Sequence, residues 1–315
     1  ESIGKMPSSV TLLAADKYAA SSASYGRVTK AMAYMLYAEL VMYQKDQTRY
    51  NTALKYMEEI IGSGKYALVA DYATIFKPEG EWSEESIFEI NYKSDGAYRS
   101  WSAPLNNGGT VLPRLISPYN FSGNGHENGW GFAPVRTETY EMYAEGDTRR
   151  EATCWYAPAD GTYEARYQDT GFFLEKYVAQ AGGNAGQIAD ADLNYNNNLR
   201  IYRYSETLLN AAELLLLTGG DAGKATDYLD QVHHRAGLND NPVATPENIL
   251  EERRLEFVGE GKRYWDLIRT GNAATTLVPD KYGYRTNTWS EQKKYLPIPQ
   301  SEIDAAQNTL TQNPY

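Results

Sequence analysis

Cysteine is nearly absent from this 315-residue chain, with Cys154 the single one. A lone thiol excludes an internal disulfide framework and any metal site built on several cysteines. Within Thr153-Cys-Trp-Tyr156 it reads as a small buried residue. Histidine is scarce too. Of the three present, His233 and His234 are adjacent, so their rings leave a helix in different directions and do not readily share a metal; a packing or exposed role is expected. No stretch of roughly eighteen apolar residues occurs, and the longest run, Ala211-Ala-Glu-Leu-Leu-Leu-Leu217, is far too short to span a bilayer. Positive charge is in deficit: 30 Lys and Arg against 41 Asp and Glu leave a net charge of −11, the wrong sign for binding a phosphate backbone. The commonest catalytic templates are missing as well, with no Gly-x-Ser-x-Gly elbow, Walker loop, Gly-x-Gly-x-x-Gly or His-Glu-x-x-His. The opening residues, Glu1-Ser-Ile-Gly-Lys-Met-Pro7, form neither a basic-then-apolar signal peptide nor a lipobox with its cysteine.

What is present is 42% hydrophobic and 23% charged residues, enough for one large domain or two ordinary ones. The aromatic residues favour rings with a polar edge: 27 Tyr and 6 Trp stand against 7 Phe. Such rings suit half-wet surfaces, sugar and protein interfaces among them, and also amphipathic helices packed through tyrosine.

Two helical hairpins are expected. Val28, Met32, Met35 and Leu36 recur at helical spacing, and after Gln44-Lys-Asp-Gln47 a second helix carries Ala53, Met57, Ile60 and Ile61 until Gly62-Ser-Gly64 stops it. The plan returns with Tyr204, Leu208, Ala212 and Leu215, a break at Thr218-Gly-Gly220, and then Ala225, Leu229, Val232 and Ala236 before Gly237. Each hairpin, 26–62 and 203–237, spans roughly one tetratricopeptide repeat, with Tyr50-x-x-Ala53 and Tyr56 supplying small-against-aromatic packing. Two copies fall short of the three or so that a stable solenoid needs, so other segments complete the stack or repeats are missing. A third helix is expected from Thr245-Pro-Glu247, where threonine caps, proline fits the first turn and glutamate meets the positive dipole end. It runs through Leu250, Leu255, Phe257 and Val258 to Gly259 and Gly261. Short strands are expected at 86–92 and 172–178.

Between the hairpins lies different material. Residues 93–132 are rich in Gly, Asn, Ser and Pro, yet Tyr98, Trp101, Tyr119, Phe121, Trp130 and Phe132 are spread through them. A loop of this length in a compact domain is usually functional. Sugars present apolar C–H faces and hydroxyl rims, so their sites combine exposed aromatic faces with amide and guanidinium side chains. Tyr98, Arg99 and Trp101, followed by Asn106, Asn107, Arg114, Tyr119, Asn120 and Phe121, provide that mixture, and His126 lies in the same loop. Tyr98, Trp101, Tyr119 and Phe121 are the expected stacking rings. Trp130, between Gly129 and Gly131, reads instead as an anchor to the core. The second loop, 179–198, reads as a flexible surface excursion; in it Asp190, Asp192 and Asn194 alternate as calcium ligands can, without the rest of an EF-hand.

The densest charge cluster is Glu251, Glu252, Arg253, Arg254, Glu256, Glu260, Lys262 and Arg263. Like and opposite charges sit one helical turn apart, the pattern of structural ion pairing that ties a helix to neighbouring chain. Glu84-Glu85 and Asp190-Ala-Asp192 offer paired carboxylates, which glycoside hydrolysis needs at a set separation, but solvated surface is the better account of them. No cofactor and no metal site is expected.

Three stretches carry a family resemblance: Glu251-Glu-Arg-Arg-Leu-Glu-Phe-Val-Gly-Glu-Gly-Lys-Arg-Tyr-Trp-Asp-Leu-Ile-Arg-Thr-Gly271, Tyr295-Leu-Pro-Ile-Pro-Gln-Ser-Glu-Ile303 and Gln312-Asn-Pro-Tyr315. Together they resemble the C-terminal signature of the SusD/RagB family. Gly26-Arg-Val-Thr-Lys-Ala-Met-Ala33, Ser86-Ile-Phe-Glu-Ile90, Gly129-Trp-Gly-Phe-Ala-Pro134, Gly146-Asp-Thr-Arg-Arg150 and Arg203-Tyr-Ser-Glu-Thr-Leu-Leu-Asn-Ala-Ala-Glu213 follow in the family's order, so the resemblance covers nearly the whole chain. It implies a mainly α fold with tetratricopeptide-like hairpins and a loop-rich ligand region bearing short β-strands, forming one SusD-like domain over 1–315 with its signature at 245–315. It further implies a non-catalytic surface lipoprotein of the Bacteroidetes outer membrane that binds a glycan ligand and delivers it to a SusC-like TonB-dependent transporter. Peptide capture is the alternative and glycoside hydrolysis a distant third. Family members are longer and begin with a lipidated cysteine and further repeats, so this chain is expected to be the C-terminal portion of a larger protein whose lipid anchor lies elsewhere. The ending also lacks the glycine often found before the final tyrosine. The family's motifs hold no ligand residue, so the resemblance assigns none.

Overall fold

The computed structural model describes residues 26–280, 283, 289–307 and 309–314; the opening Glu1–Pro7 and the closing Tyr315 lie outside them. Its contacts divide the chain into one unit ending at Gly261 and another from Lys262 onward.

Helices frame the first unit. α1 (Lys30–Gln44) and α2 (Tyr50–Gly62) form one hairpin, α3 (Tyr204–Leu217) and α4 (Ala222–Arg235) a second, with α2 packed on α3 and α5 (Pro246–Glu256) closing on α3 and α4. Their ends obey local chemistry. The Thr29 hydroxyl accepts the Met32 amide at 3.2 Å to start α1, Asp221 caps α4 through the amides of Gly223 and Lys224, and Thr245 with Pro246 opens α5 as the sequence suggested. Small residues let the helices approach: Ala31 and Ala38, Ala53, Ala211 and Ala212 are fully buried beside Met35, Met57, Leu208, Leu229 and Val232. Each large side chain sealed there contributes about 1.5–3 kcal/mol.

Helix α1 buries only part of the face its spacing suggested, with Met35 inside and Met32 packed against the core. Val28 and Leu36 are 44% and 40% exposed, whereas Ala31, Tyr34, Met35, Ala38, Val41 and Met42 point inward. Tyr34 explains the difference. Its ring lies 4.0 Å from that of Tyr56 at an interplanar angle of 6°, and its hydroxyl donates to Glu59 at 2.8 Å, so a polar-tipped aromatic fills the seam. On α5 the buried positions are Ile249, Glu252, Arg253 and Glu256 rather than Leu250 and Leu255, because this helix is joined to the rest by ion pairs.

Those pairs converge where β4 (Leu199–Arg203) enters α3. The strand lies antiparallel to β1 (Ser86–Ile90), with Ser86 opposite Arg203 and Ile90 opposite Leu199. Arg203, buried in the protein, donates to Glu85, Glu256 and Glu260. Arg235 reaches Glu85 and Glu256, Arg149 reaches Asp147, Glu252 and Glu256, and Lys176 reaches Glu260 at 2.8 Å. Burial pushes the Glu256 carboxyl up, but Arg235, Arg203 and Arg149 together hold it well below the usual carboxylate range. Glu85 therefore corrects one expectation: it is 0% exposed and belongs to this network rather than to solvated surface. His233 is buried between Glu252 and Asp240, each 2.9 Å away; the Glu252 hydrogen bond outweighs burial, and with Asp240 it raises the imidazole to about 9.

A second core lies under the loops. Here β2 (Cys154–Tyr156) pairs antiparallel with β3 (Phe172–Leu174), and Tyr72, Ile75, Phe76, Ile116, Phe121, Trp155, Phe173 and Tyr177 pack together. Cys154 is fully buried, and burial pushes its thiol up to about 12, an unreactive state.

In the second unit, α6 (Arg263–Thr270) ends at Gly271, whose φ of 81° no Cβ-bearing residue adopts easily. Gln312 clamps Ile298 through both the amide and the carbonyl of its side chain. Among the described residues no helix is long and apolar enough to cross a membrane.

Candidate functional site

The aromatic-rich segment 93–132 is an ordered loop, and the 179–198 segment is its template rather than a free excursion. The two run against each other through Gly96 with Gly186, Ala97 with Ile188, Glu127 with Ala179 and Gly125 with Ala181, joined by backbone hydrogen bonds, and through a bridge between Thr110 and Tyr195. Asn194, fully buried, accepts the Gly109 amide at 3.2 Å and donates to the carbonyls of Arg99 at 2.9 Å and Asp190 at 2.7 Å. Gly109 must be glycine for this approach, since a Cβ there would stand 2.3 Å from the Asn194 backbone. The Asp190 carboxylate accepts the Trp101 amide at 2.8 Å, and Asp192 pairs with Arg114 at 3.0 Å. The alternating Asp190, Asp192 and Asn194 are thus loop latches, and among the described residues no group of three acidic, histidine or cysteine side chains could hold a metal ion.

Held this way, the loop shows an aromatic face to solvent. Trp101 is 58% exposed, Phe132 51% and Tyr98 47%. Trp130 is not the buried anchor its flanking glycines suggested: it is half-buried and joins the face, its ring 6.0 Å from that of Trp101 in a stack and 6.3 Å from that of Phe132 edge-on. Gly129 still matters for another reason, since a Cβ there would meet the Ser117 carbonyl oxygen at 2.4 Å. Tyr119 is half-buried beneath the Arg166 guanidinium, 4.6 Å from its ring centre.

The polar side chains divide between two tasks. Arg99 is turned onto the loop's own backbone, donating to the Asn106 and Gly109 carbonyls, and Arg114 likewise holds Asn128. The Asn120 amide donates to Glu164 at 2.7 Å. Asn106 is bound to the Tyr98 carbonyl at 3.4 Å, while Asn107 is exposed at the rim. Phe121 is a correction. It is 6% exposed and meets Trp155 edge-on at 5.0 Å, so it belongs to the second core and offers no face to a ligand. His126 is turned away with it, stacked 3.8 Å from Trp155 and hydrogen-bonded to Glu175 at 2.9 Å.

Of the expected set the structure therefore keeps Trp101 in an open ring cluster, to which Trp130 and Phe132 are added, and leaves Tyr98 and Asn107 exposed on the same loop. Phe132 stood in the aromatic count without being chosen, and nothing in local sequence marked it as exposed. Exposed rings, Trp101 and Trp130 stacked with Phe132 edge-on beside them, can take apolar sugar faces while polar groups pair hydroxyls at the edge.

The fold is mainly helical and carries exposed aromatic rings on a braced loop. The sequence model of the SusD family matches residues 136–315, more than half of the chain, and the chain belongs to that family. It is similar to surface glycan-binding protein A from Bacteroides thetaiotaomicron, solved alone and in complex with laminarihexaose, at 63% identity and a TM-score of 0.90, over 94% of this chain and 66% of that one. It also resembles a laminarin-binding SusD-like protein, at 29% identity and a TM-score of 0.81, over 94% of this chain and 64% of the other. Among curated sequences it is 26% identical to the starch-binding protein SusD of Bacteroides thetaiotaomicron over 95% of this chain and 62% of that protein. The chain thus spans about three fifths of that relative's length.

Proposed function

We propose that this protein is a non-catalytic, cell-surface glycan-binding protein whose ligand is a laminarin-type glucan, captured on the Trp101–Trp130–Phe132 face with Tyr98 beside it. The observation that carries the reading is the exposure of these rings on a loop braced by Asn194 and Asp190. Exposed, pre-positioned aromatic rings are costly to leave in water unless a ligand covers them. Relatives named for glycan, laminarin and starch binding support the ligand class. The buried carboxylates support the absence of catalysis, since Glu85, Glu252, Glu256 and Glu260 are all joined to cations. Family membership supports a place at the outer membrane through a lipid anchor and delivery of the glycan to a SusC-like TonB-dependent transporter.

Affinity electrophoresis through gels containing laminarin, starch or no polysaccharide, with a peptide digest as competitor, tests the ligand. Retardation by laminarin without release of reducing ends is expected. Free migration in laminarin, displacement by peptides, or accumulation of cleaved sugar would each overturn the reading.

A further inference from the structure

A cleft of about 460 Å³ opens on the first unit, and it shares no residue with the aromatic face. Its floor is the indole of Trp155 with the stacked His126 ring, one side is Phe76 and Lys77, and the mouth carries Tyr156, Ala159 and Asp160. Its volume falls in the range of small-molecule sites, about 300–1,000 Å³. Its walls are built. Lys77 pairs with Glu175, Glu175 accepts from His126, and Asp160 accepts the Trp155 indole N–H at 2.7 Å. Burial raises the Glu175 carboxyl, but His126 and Lys77 hold it below its ordinary value, so it remains an ionised acceptor.

We propose that this cleft is a second saccharide site, taking one or two rings of a neutral glucan chain. The composition argues for that occupant. Tyr156 is 47% exposed and offers a ring face at the mouth, where Gly171 leaves it room: a Cβ there would lie 2.7 Å from the tyrosine ring. Glu175, Asp160 and Glu151 supply hydroxyl acceptors, with Lys77 adding a donor. Glu175 is offset by Lys77, Glu151 by Arg150 and Lys176 by Glu260, so Asp160 sets the sign of the lining, which favours a neutral chain over uronates and sulfated sugars. The loop that bears the aromatic face also supplies His126, so one ordered segment shapes both sites. A long chain gripped at two places gains effective concentration without any new contact.

This inference rests on the glycan-binding reading, and calorimetric titration of the full chain with laminarihexaose separates the two. With the platform stripped by Trp101→Ala, Trp130→Ala and Phe132→Ala together, the protein should keep a weaker saturable site that disappears when Tyr156→Ala is added, or when Ala159→Trp fills the cleft without removing a wall contact. Wild-type stoichiometry should exceed that of Ala159→Trp. Complete silence in the triple variant, or residual binding indifferent to both cleft variants, overturns the second site and leaves the first standing. Full binding in the triple variant with loss in Ala159→Trp upholds the cleft and removes the platform. No heat in the wild type removes both, and binding of trilysine in the cleft in place of the glucan overturns the saccharide assignment.

Discussion

Replacing Glu256 by glutamine should weaken the fold more than any comparable change on the surface. One oxygen of Glu256 accepts from Arg203 at 2.8 Å and from Arg235, and the other faces Arg149 at 3.3 Å. Glutamine keeps the shape but removes the charge among three guanidinium groups and turns one acceptor into a donor facing a donor. Breaking a buried ion pair by removing one partner costs about 3–5 kcal/mol. Glu85, Glu252 and Glu260 still contact the same cations, which places the expected loss near the lower end, about 3 kcal/mol. At roughly 2–4 °C per kcal/mol, the midpoint should fall by about 6–12 °C. Thermal unfolding followed by circular dichroism measures it, with Glu251→Gln as the control because that carboxylate is 50% exposed. The pH dependence has a definite sign. A carboxyl whose folded pKa lies below its ordinary 4.5 contributes stability above that pH and loses it on acidification, so wild type and variant should converge as pH falls below 4.5. A difference between Glu256→Gln and Glu251→Gln of under about 1 kcal/mol would refute the reasoning.

His233 should make the protein less stable in alkali. Its imidazole is raised to about 9, so its contribution is complete below 6.5 and is lost as pH rises through 9; solvent around Asp240 screens one partner, leaving about 1–2 kcal/mol, and urea unfolding of His233→Gln across that window should be correspondingly flatter than wild type. Phe121→Ala should cost about 3–5 kcal/mol in the same assay, while a loss within about 0.5 kcal/mol would place that ring outside the core. Gly109→Ala should push the loop off Asn194, abolishing retardation in laminarin gels while the helical circular dichroism signal is retained; unchanged retardation would show that the 179–198 segment does not shape the binding face.

The helical frame was readable because apolar periodicity and glycine stops agree at α2, α3 and α4. At α1 and α5 the same periodicity found the helix but only part of its buried face. Tyr34 is an aromatic that packs as core while its hydroxyl reaches Glu59, and Glu252, Arg253 and Glu256 are charges that count as exposed until distant partners are known. Arg149 and Arg203 lie 107 and 53 residues from Glu256, a pairing no local spacing reveals. The site was half legible. Composition located the aromatic loop, but which rings face water depends on how the 179–198 segment braces it, and Asn194 looks like any loop asparagine. Phe121 and Trp101 are alike in local context; one meets Trp155 and the other meets solvent.

Titration of laminarihexaose into the wild type and Trp101→Ala decides whether the Trp101–Trp130–Phe132 platform binds the glycan. Covering a large side chain contributes about 1.5–3 kcal/mol, and with 58% of Trp101 open to a ligand its removal should cost about 1–2 kcal/mol, roughly a five- to thirtyfold loss of affinity, with an unchanged melting temperature. Equal affinity in the two proteins would contradict the platform as the glycan-binding surface.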